Sequence, residues 1–337
     1  MSETVVILHH KLLPGAGPDE HDVFDQVEAI EEALKDLGYA TQVMAFELDF
    51  KSFTKEIQEV GPRLVFNVVE TPEGDGRLIH TACSILDHLG IPYTGAGVEA
   101  MFLTSNKVLA KTWMHRSGIP TAEWVVAGRK PVRKLPFPAT YIMKTFWEEA
   151  SIGIDKDSVC SASGIEDLMS LLRERSILLG KECFAERFIE GREFNVSVLA
   201  GPKGPSVLPA AEMTFTFPDD RPKIMNYNAK WVEDSVEYDG TMRTFKISED
   251  DAGLIREINR VSLKCWEVFN LHGYARVDIR VDAEGRPWVL EINANPCITP
   301  GSGLPAASEH AGISYREMIR RIIADVPGYK SSEAILP

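Results

Sequence analysis

The sequence predicts an α/β protein of three units: an N-terminal parallel α/β domain over residues 1–100, a linker helix and small central α+β lobe over 101–200, and a C-terminal α+β lobe over 201–330. Three observations carry this reading. Apolar strand-like runs alternate with amphipathic helical patterns over the first hundred residues, as in a parallel sheet covered by helices. At 337 residues the chain is too long for one ordinary core. Finally, Gly273–Pro296 (GYARVDIRVDAEGRPWVLEINANP) contains two alternating runs around Ala283-Glu284-Gly285, the pattern of a β-hairpin.

Taken in order, residues 4–9 (TVVILH) form the first strand. A loop with Pro14, Gly15, Gly17 and Pro18 leads to a helix over 22–37, with Val23, Val27, Ile30, Ala33, Leu34 and Leu37 on one face and Gly38 ending it. A strand over 41–46, a helix over 53–59 begun by Ser52 and a strand over 63–69 follow. A helix over 77–89 has Ile79, Cys83, Leu86 and Leu89 at helical spacing and is closed by Gly90. Residues 104–117 read as one helix, stopped by Gly118 and Pro120. Pro131, Pro136 and Pro138 then mark a connecting segment. The strand YIMKTF (141–146) runs into the loop WEEASIG, and Ser163 with Glu166 makes a capping box for the next helix. The strands CFAERFI and EFNVSVLAG meet at Gly191 and complete the middle unit. A polar loop (218–246) precedes a long helix after Ser248, whose face is Leu254, Ile258, Val261, Cys265 and Val268. The last helix opens with a second capping box, Ser314 to Glu317, and buries Tyr315, Met318, Ile319 and Ile322.

Composition excludes several classes. There are 36 basic residues against 50 acidic ones, a net charge of −14, so neither nucleic acid nor an anionic membrane surface is the default partner. The five cysteines are scattered and lack C-x-x-C spacing, which suits a reducing, cytoplasmic setting. No run approaches the roughly 20 apolar residues of a membrane span.

The hairpin carries the chemistry. Asp278 lies on its first strand, and Glu291 and Asn293 share a face of the second because they are two apart. Antiparallel pairing brings Asp278 beside them. Two carboxylates and an amide oxygen are hard donors suited to Mg²⁺ carrying phosphate. The plain alternative is the polar outer face of an ordinary hairpin.

The motif D-x-R…E-x-N-x-N-P, followed by a Ser/Gly stretch, resembles the metal-binding core of the ATP-grasp enzymes, and most closely that of D-alanine–D-alanine ligases and their relatives. Further matches come in the family's order: VFNVV…GDGRLIHTACSILDHLGIPYTGAGV (65–98), SNK (105–107), IMK (142–144), AERFIEGREFNVSVL (185–199) and AKW (229–231). They span nearly the whole chain. The resemblance implies an ATP-grasp fold. It also implies an ATP- and Mg²⁺-dependent ligase, with two ions and Mn²⁺ as a substitute, joining amino-acid-like substrates through an acyl phosphate. A homodimer is implied by the resemblance alone.

By the same resemblance, Lys144 and Lys107 contact the ATP phosphates, although a lone lysine is more often a solvated surface charge. The loop at 147–153 (with Ser151 and Gly153) cradles the γ-phosphate. Glu186 accepts from the adenine amine and Glu193 takes the ribose. Phe188 and Ile189 are slot or core residues. At the substrate end, Arg276 stabilises the tetrahedral oxyanion; its rivals are a structural salt bridge to Glu291 or an exposed charge. Lys230 meets the γ-phosphate, and Ser302 and Gly303 bind the carboxylate of the second amino acid.

The chain also departs from the family pattern. The family's Glu–Ser–Tyr triad has Trp231 at the Tyr position and Ala150 at the Ser position. Asp19, Glu20 or Asp22 is the candidate N-terminal acid. Thr145 stands where a Pro is common, Glu148 and Glu149 bring acid near phosphate, and Val69-Glu70-Thr71 replaces a His-Gly element. ATP chemistry transfers through these changes; D-alanine as substrate does not. The alternatives to a D-alanine–D-alanine ligase-like enzyme are a ligase for a different substrate, a phosphotransferase of the same fold, and a nucleotide-binding regulatory protein.

Overall fold

The computed structural model describes residues 4–147, 153–218 and 221–329, apart from the side chains of Pro18 and Asp19. Ser151, together with Glu148, Glu149 and Ala150, lies outside the described residues. Among the described residues the strands form three sheets.

The first sheet is parallel, in the order β2-β1-β3, from β1 (Thr4–His10), β2 (Ala40–Phe46) and β3 (Leu64–Val68). Val5, Val6, Ile7 and Leu8 of β1 are fully buried because both faces of the strand are covered. Val5 and Ile7 face α1 (Pro18–Asp36), while Val6 and Leu8 face α2 (Phe50–Val60) and α3 (His80–Leu89). Two of these helices start earlier than the sequence suggests. Pro18 opens α1 at a position that needs no amide donor, and the Glu20 carboxylate accepts from the Gly17 N–H at 3.3 Å. Asp49, not Ser52, caps α2, accepting from the Ser52 N–H at 3.1 Å. A 3₁₀ turn at Gly76–Leu78 precedes α3, so the expected helix from residue 77 begins only at His80.

The expected helix over 104–117 is two helices, α4 (Val98–Ser105) and α5 (Lys107–Arg116). Asn106 breaks them: it is extended (φ −93°, ψ 103°), and its side chain caps α5 by accepting from the Leu109 N–H at 2.9 Å. Lys107 thereby becomes the first residue of a helix.

The second sheet is antiparallel, in the order β4-β7-β5-β6, from β4 (Trp124–Val126), β5 (Ala139–Thr145), β6 (Val159–Ala162) and β7 (Cys183–Arg187). Leu168 and Leu172 of α6 (Ile165–Leu179) fill its core. The Ser163 capping box is corrected: Gly164 is the cap, and the Ser163 N–H and hydroxyl both donate to Asp167, at 2.9 and 3.0 Å.

The third sheet contains β8 (Arg192–Leu199), β9 (Ser206–Val207), β10 (Ala211–Phe215), β11 (Thr241–Thr244), β12 (Tyr274–Val281) and β13 (Pro287–Asn293). Its order is β11-β10-β8-β12-β13, with β9 paired to β8. The placing of both β7 and β8 in the middle unit is thus corrected, because β8 pairs with β12 along its whole length. The chain crosses between sheets at Gly191, where a Cβ would stand 2.1 Å from the Val281 carbonyl oxygen at a φ of +133°. Only glycine fits there.

The polar loop at 218–246 also holds structure: α7 (Tyr227–Trp231), α8 (Val236–Asp239) and β11. One face of the third sheet (Val277, Ile279) packs on Ile258, Val261 and Cys265 of α9 (Ala252–Val268). After the hairpin come α10 (Gly303–His310), which the sequence did not suggest, and α11 (Tyr315–Ala324). Met318, Ile319 and Ile322 of α11 share a core with Val5 and Ile7, so the C-terminal helices complete the N-terminal layer.

Candidate active site

The other face of the third sheet is polar, and pairing register sets out its side chains in columns. Asp278 lies opposite Glu291 on one side and Asn195 on the other. Arg276 lies opposite Asn293 and Ser197, and Arg280 opposite Glu193. The register shifts between Asp278 and Ile279, so Leu290 is an extra residue on β13. This bulge lets the adjacent Leu290 and Glu291 both line one cavity.

The second sheet supplies the opposite wall. Ile142 and Lys144 share a face of β5, and Glu186 lies opposite Ile142 on β7. Phe188 and Ile189 continue from β7, while Ile224, Met225 and Lys230 close over from the 218–246 segment. Lys107 reaches in from the start of α5. Of the residues that line this cavity, Lys107, Lys144, Arg187, Lys230, Arg276 and Arg280 are basic, against the acids Glu186, Glu193, Asp278 and Glu291. In a chain of net charge −14, this is a local excess of cations.

Those charges are tightly coupled. Lys107 Nζ meets Glu291 Oε2 at 2.7 Å. Burial alone would raise the Glu291 carboxyl, but Lys107, Lys144 and Lys230 outweigh it and hold the group well below the usual carboxylate range. Burial, and then Arg276, lowers the Lys230 ammonium, against the opposing pull of Glu291, Asp278 and Glu193. Asp278 accepts from Arg276 Nε and Nη2 at 2.8 and 2.9 Å and from Asn195 Nδ2 at 2.9 Å. Arg276 is therefore bridged to Asp278 rather than to Glu291.

Glu186 is held by two lysines. Its carboxylate is buried between Lys144, at 2.7 Å, and Lys111. Burial raises this carboxyl and the two lysines outweigh the effect, so it stays ionised. With both oxygens facing lysines, this side chain is the counter-ion of Lys144 and Lys111. Lys111 Nζ also donates to Thr121 at 2.7 Å, and Thr121 to the Val289 carbonyl at 2.9 Å, tying α5 to the hairpin.

Asn293, Ser302 and Gly303 are not among the residues lining the cavity. The Asn293 Oδ1 accepts from the Asn295 N–H at 3.0 Å, one register step beyond Glu291. The Ser302 hydroxyl donates to the Cys297 carbonyl at 3.0 Å, and Gly303 opens α10 with its missing Cβ 3.8 Å from Arg276 Cδ. Gly303 thus sits beside Arg276, with Ser302 next to it in the chain, outside the cavity's lining. Gly153 (φ +75°) has its carbonyl held by Arg175 at 2.9 Å. Of the N-terminal acids, Glu20 is used in capping, whereas Asp22 reaches Cys297 Sγ at 2.8 Å and Thr299 Oγ1 at 3.1 Å. The Trp231 indole N–H is buried without a hydrogen-bond partner among the described residues.

Sequence reading missed Lys111, Asn195 and Arg280. Arg280 was within reach, since Arg276, Asp278 and Arg280 are two apart on one strand and must share a face. Lys111 gave no signal beyond being one helical turn after Lys107.

Comparison with known proteins bears on this geometry. The family description "D-ala D-ala ligase C-terminus" matches residues 114–324. A D-alanine–D-alanine ligase of Synechococcus sp. (strain JA-3-3Ab) is 30% identical over 305 residues, covering 88% of this chain and 87% of the relative. The chain belongs to the D-alanine–D-alanine ligase family. It is an ADP-forming, ATP-dependent ligase that makes an amide bond from a carboxylate and an amine. The D-alanine–D-alanine ligase of Bacillus anthracis has the same fold: its crystal structure superposes with a TM-score of 0.70 at 21% identity, over 96% of this chain and 97% of that one. The crystal structure of that enzyme complexed with ATP gives 0.69 at 20% identity, with the same coverage. Among the described residues, no helix is long and apolar enough to cross a membrane.

Proposed function

We propose that the chain uses Mg²⁺·ATP to phosphorylate the carboxylate of one amino-acid-like substrate and then joins it to the amine of a second. The observation that carries this reading is the Asp278–Glu291 pair, set opposite each other across the hairpin, with Lys107 and Lys144 on its flank and Lys230 above. Two opposed carboxylates with the Asn293 oxygen one step on are hard donors of the kind Mg²⁺ takes. Arg276 on Asp278 and Lys107 on Glu291 already put positive charge there, so the donor set fits an ion. Two carboxylates are too few for an octahedral shell, which suits an ion that arrives carrying phosphate. Bound there, Mg²⁺ would supply charge neutralisation to the phosphate oxygens.

The chain's own residues do the rest. Lys144, paired with the Glu186 counter-ion, and Lys107 hold the phosphates in line with the incoming carboxylate oxygen. That oxygen bonds to the γ-phosphorus and ADP leaves. The amine of the second substrate then attacks the acyl carbon. The Arg276 guanidinium, on the same face as Asp278, lies where the tetrahedral oxyanion forms, and phosphate departs as it collapses. Ser302 and Gly303 at the start of α10, beside Arg276, bind the carboxylate of the second substrate.

The first substrate differs from D-alanine. Trp231 has a single N–H donor and no hydroxyl, and that N–H is buried without a partner among the described residues. A pocket lacking a partner for a substrate's polar group disfavours that group by about 10²-fold. ADP release over a panel of D- and L-amino acids and short peptides, with and without an acceptor amine, tests both statements. A ligase needs both substrates, a phosphotransferase needs one, and a regulatory protein turns over neither. Efficient ADP release with D-alanine alone, yielding D-alanyl-D-alanine, would sink the substrate assignment and leave the ligase reading intact.

A further inference from the structure

Arg280 is a buried cation, 3% exposed, in the wall of a cavity that the apolar Phe188, Ile189 and Leu290 also line. A guanidinium is costly to bury unless its donors are met by fixed partners. Here those partners are present. Nη1 donates to Glu193 Oε2 at 3.0 Å and to the Lys223 carbonyl at 2.8 Å, and Nη2 donates to the Gly191 carbonyl at 3.0 Å. The guanidinium carbon lies 4.9 Å from the centre of the Phe188 ring. Sheet register fixes the pair, because Arg280 and Glu193 are direct neighbours across β12 and β8.

We propose that Arg280 sets the sugar specificity of this site by positioning the Glu193 carboxylate as the acceptor for the ribose hydroxyls, while it braces Phe188 and the Gly191 crossover behind the base. The inference rests on the ATP reading above and adds a positioning residue to it. An ionised carboxylate only accepts hydrogen bonds, so it rewards a diol and gains nothing from a deoxysugar. Burial and the nearby Asp278 push the Glu193 carboxyl upward, toward a protonated form that would lose this selectivity; the adjacent guanidinium opposes them. Arg280 also links the sugar contact to the base wall, since one side chain touches Glu193, Gly191 and Phe188 together.

The test compares ATP with 2′,3′-dideoxyATP on the full chain, by calorimetric binding and by KM in the ADP-release assay. The wild type is expected to favour ATP by about 10- to 100-fold, the worth of hydrogen bonds to a charged acceptor. In Arg280→Met the loss of the brace weakens both nucleotides alike, and ATP is expected to lose the sugar factor in addition, bringing the ratio close to one. Arg280→Lys keeps a charge beside Glu193 without the fork of donors, and an intermediate ratio is expected. A structural role alone would weaken both nucleotides equally and leave the ratio at its wild-type value, which overturns the proposal. If Arg280→Met does not fold, the ratio in Arg280→Lys decides alone, and an unchanged ratio there is equally fatal. Equal affinity of the wild type for the two nucleotides also overturns it. A wild type that binds neither nucleotide overturns the ATP reading itself, a separately visible outcome.

Discussion

The residues proposed for the nucleotide and those proposed for the substrates rest on different kinds of backbone. On the nucleotide side, Lys144, Glu186, Glu193, Asp278 and Glu291 all stand on paired strands, where register decides which side chains meet. The residues proposed for the substrate side, Ser302, Gly303, Trp231 and Asp22, stand at helix starts and ends or in the first turns of helices, and their hydrogen bonds run to the 297–299 segment: Asp22 to Cys297 and Thr299, Ser302 to the Cys297 carbonyl. A sheet holds its side chains to a fixed pattern, whereas loops and helix ends can be rebuilt without disturbing the core. On the proposed reading, the phosphate contacts are fixed by the sheets and the substrate contacts by helix ends and loops.

The largest effect that probes this contrast is Glu291→Gln. The change keeps shape and removes the charge on which Lys107, Lys144 and Lys230 converge. Turnover at saturating ATP and Mg²⁺ is expected to fall by at least about 10²-fold, the scale of losing one group that stabilises transition-state charge. Its thermal midpoint should fall as well, because Lys107 loses its counter-ion, so turnover is compared at a temperature where the variant remains folded. Near-normal turnover would mean that the sheet edge is only a salt-bridge network, and the contrast between the two ends would collapse.

The same contrast explains what could be read from the sequence. Alternation with a period of two placed Asp278, Glu291 and Asn293 on one face, because a strand has no other choice. The bulge at Leu290 was invisible, since the alternation continues through it. Asn106 was read as part of a helix although it caps one; a polar residue between two apolar helical runs carries both meanings. The α10 helix was hidden because Pro-Gly-Ser-Gly-Leu-Pro reads as loop, and only its packing against the first layer makes it helical. The double use of Glu186 depended on Lys111, whose burial comes from tertiary packing and leaves no mark in a helical pattern. The resemblance named the right region for Glu186 but could not say which way its carboxylate turns.

A smaller effect separates the two phosphate lysines. Lys144→Ala leaves Glu186 with Lys111 alone, and Lys107→Ala leaves Glu291 with more distant cations. Each is expected to raise the KM for ATP or slow phosphoryl transfer by about 10- to 100-fold, for the loss of one charge-assisted contact. Steady-state kinetics over ATP concentration reads this directly. Wild-type ATP kinetics in both variants would show that the lysines serve only their internal carboxylates.

The smallest effect concerns the first sheet, where His10 at the end of β1 meets the segment after β3. His10 is 2% exposed, and the Glu70 N–H approaches its Nδ1 at 3.5 Å. Burial, with His9 adding repulsion, lowers its value from 6.5 to about 4. The unfolded chain takes up this proton near pH 6.5 and the folded chain only near pH 4. Between those values the unfolded state binds more protons, so acid favours unfolding and stability falls as pH drops through this window. By pH 5 the loss from this group is about 2 kcal/mol relative to pH 8, an order-of-magnitude figure. His10→Gln removes the titration, so its thermal midpoint should lose less than that of the wild type between pH 8 and 5, whatever its starting value. Nucleotide affinity, set on the other sheet, should show no matching change. Parallel midpoint curves for the two proteins would mean that His10 already exchanges its proton freely in the folded state. The end of the first sheet would then be as open to water as its loops.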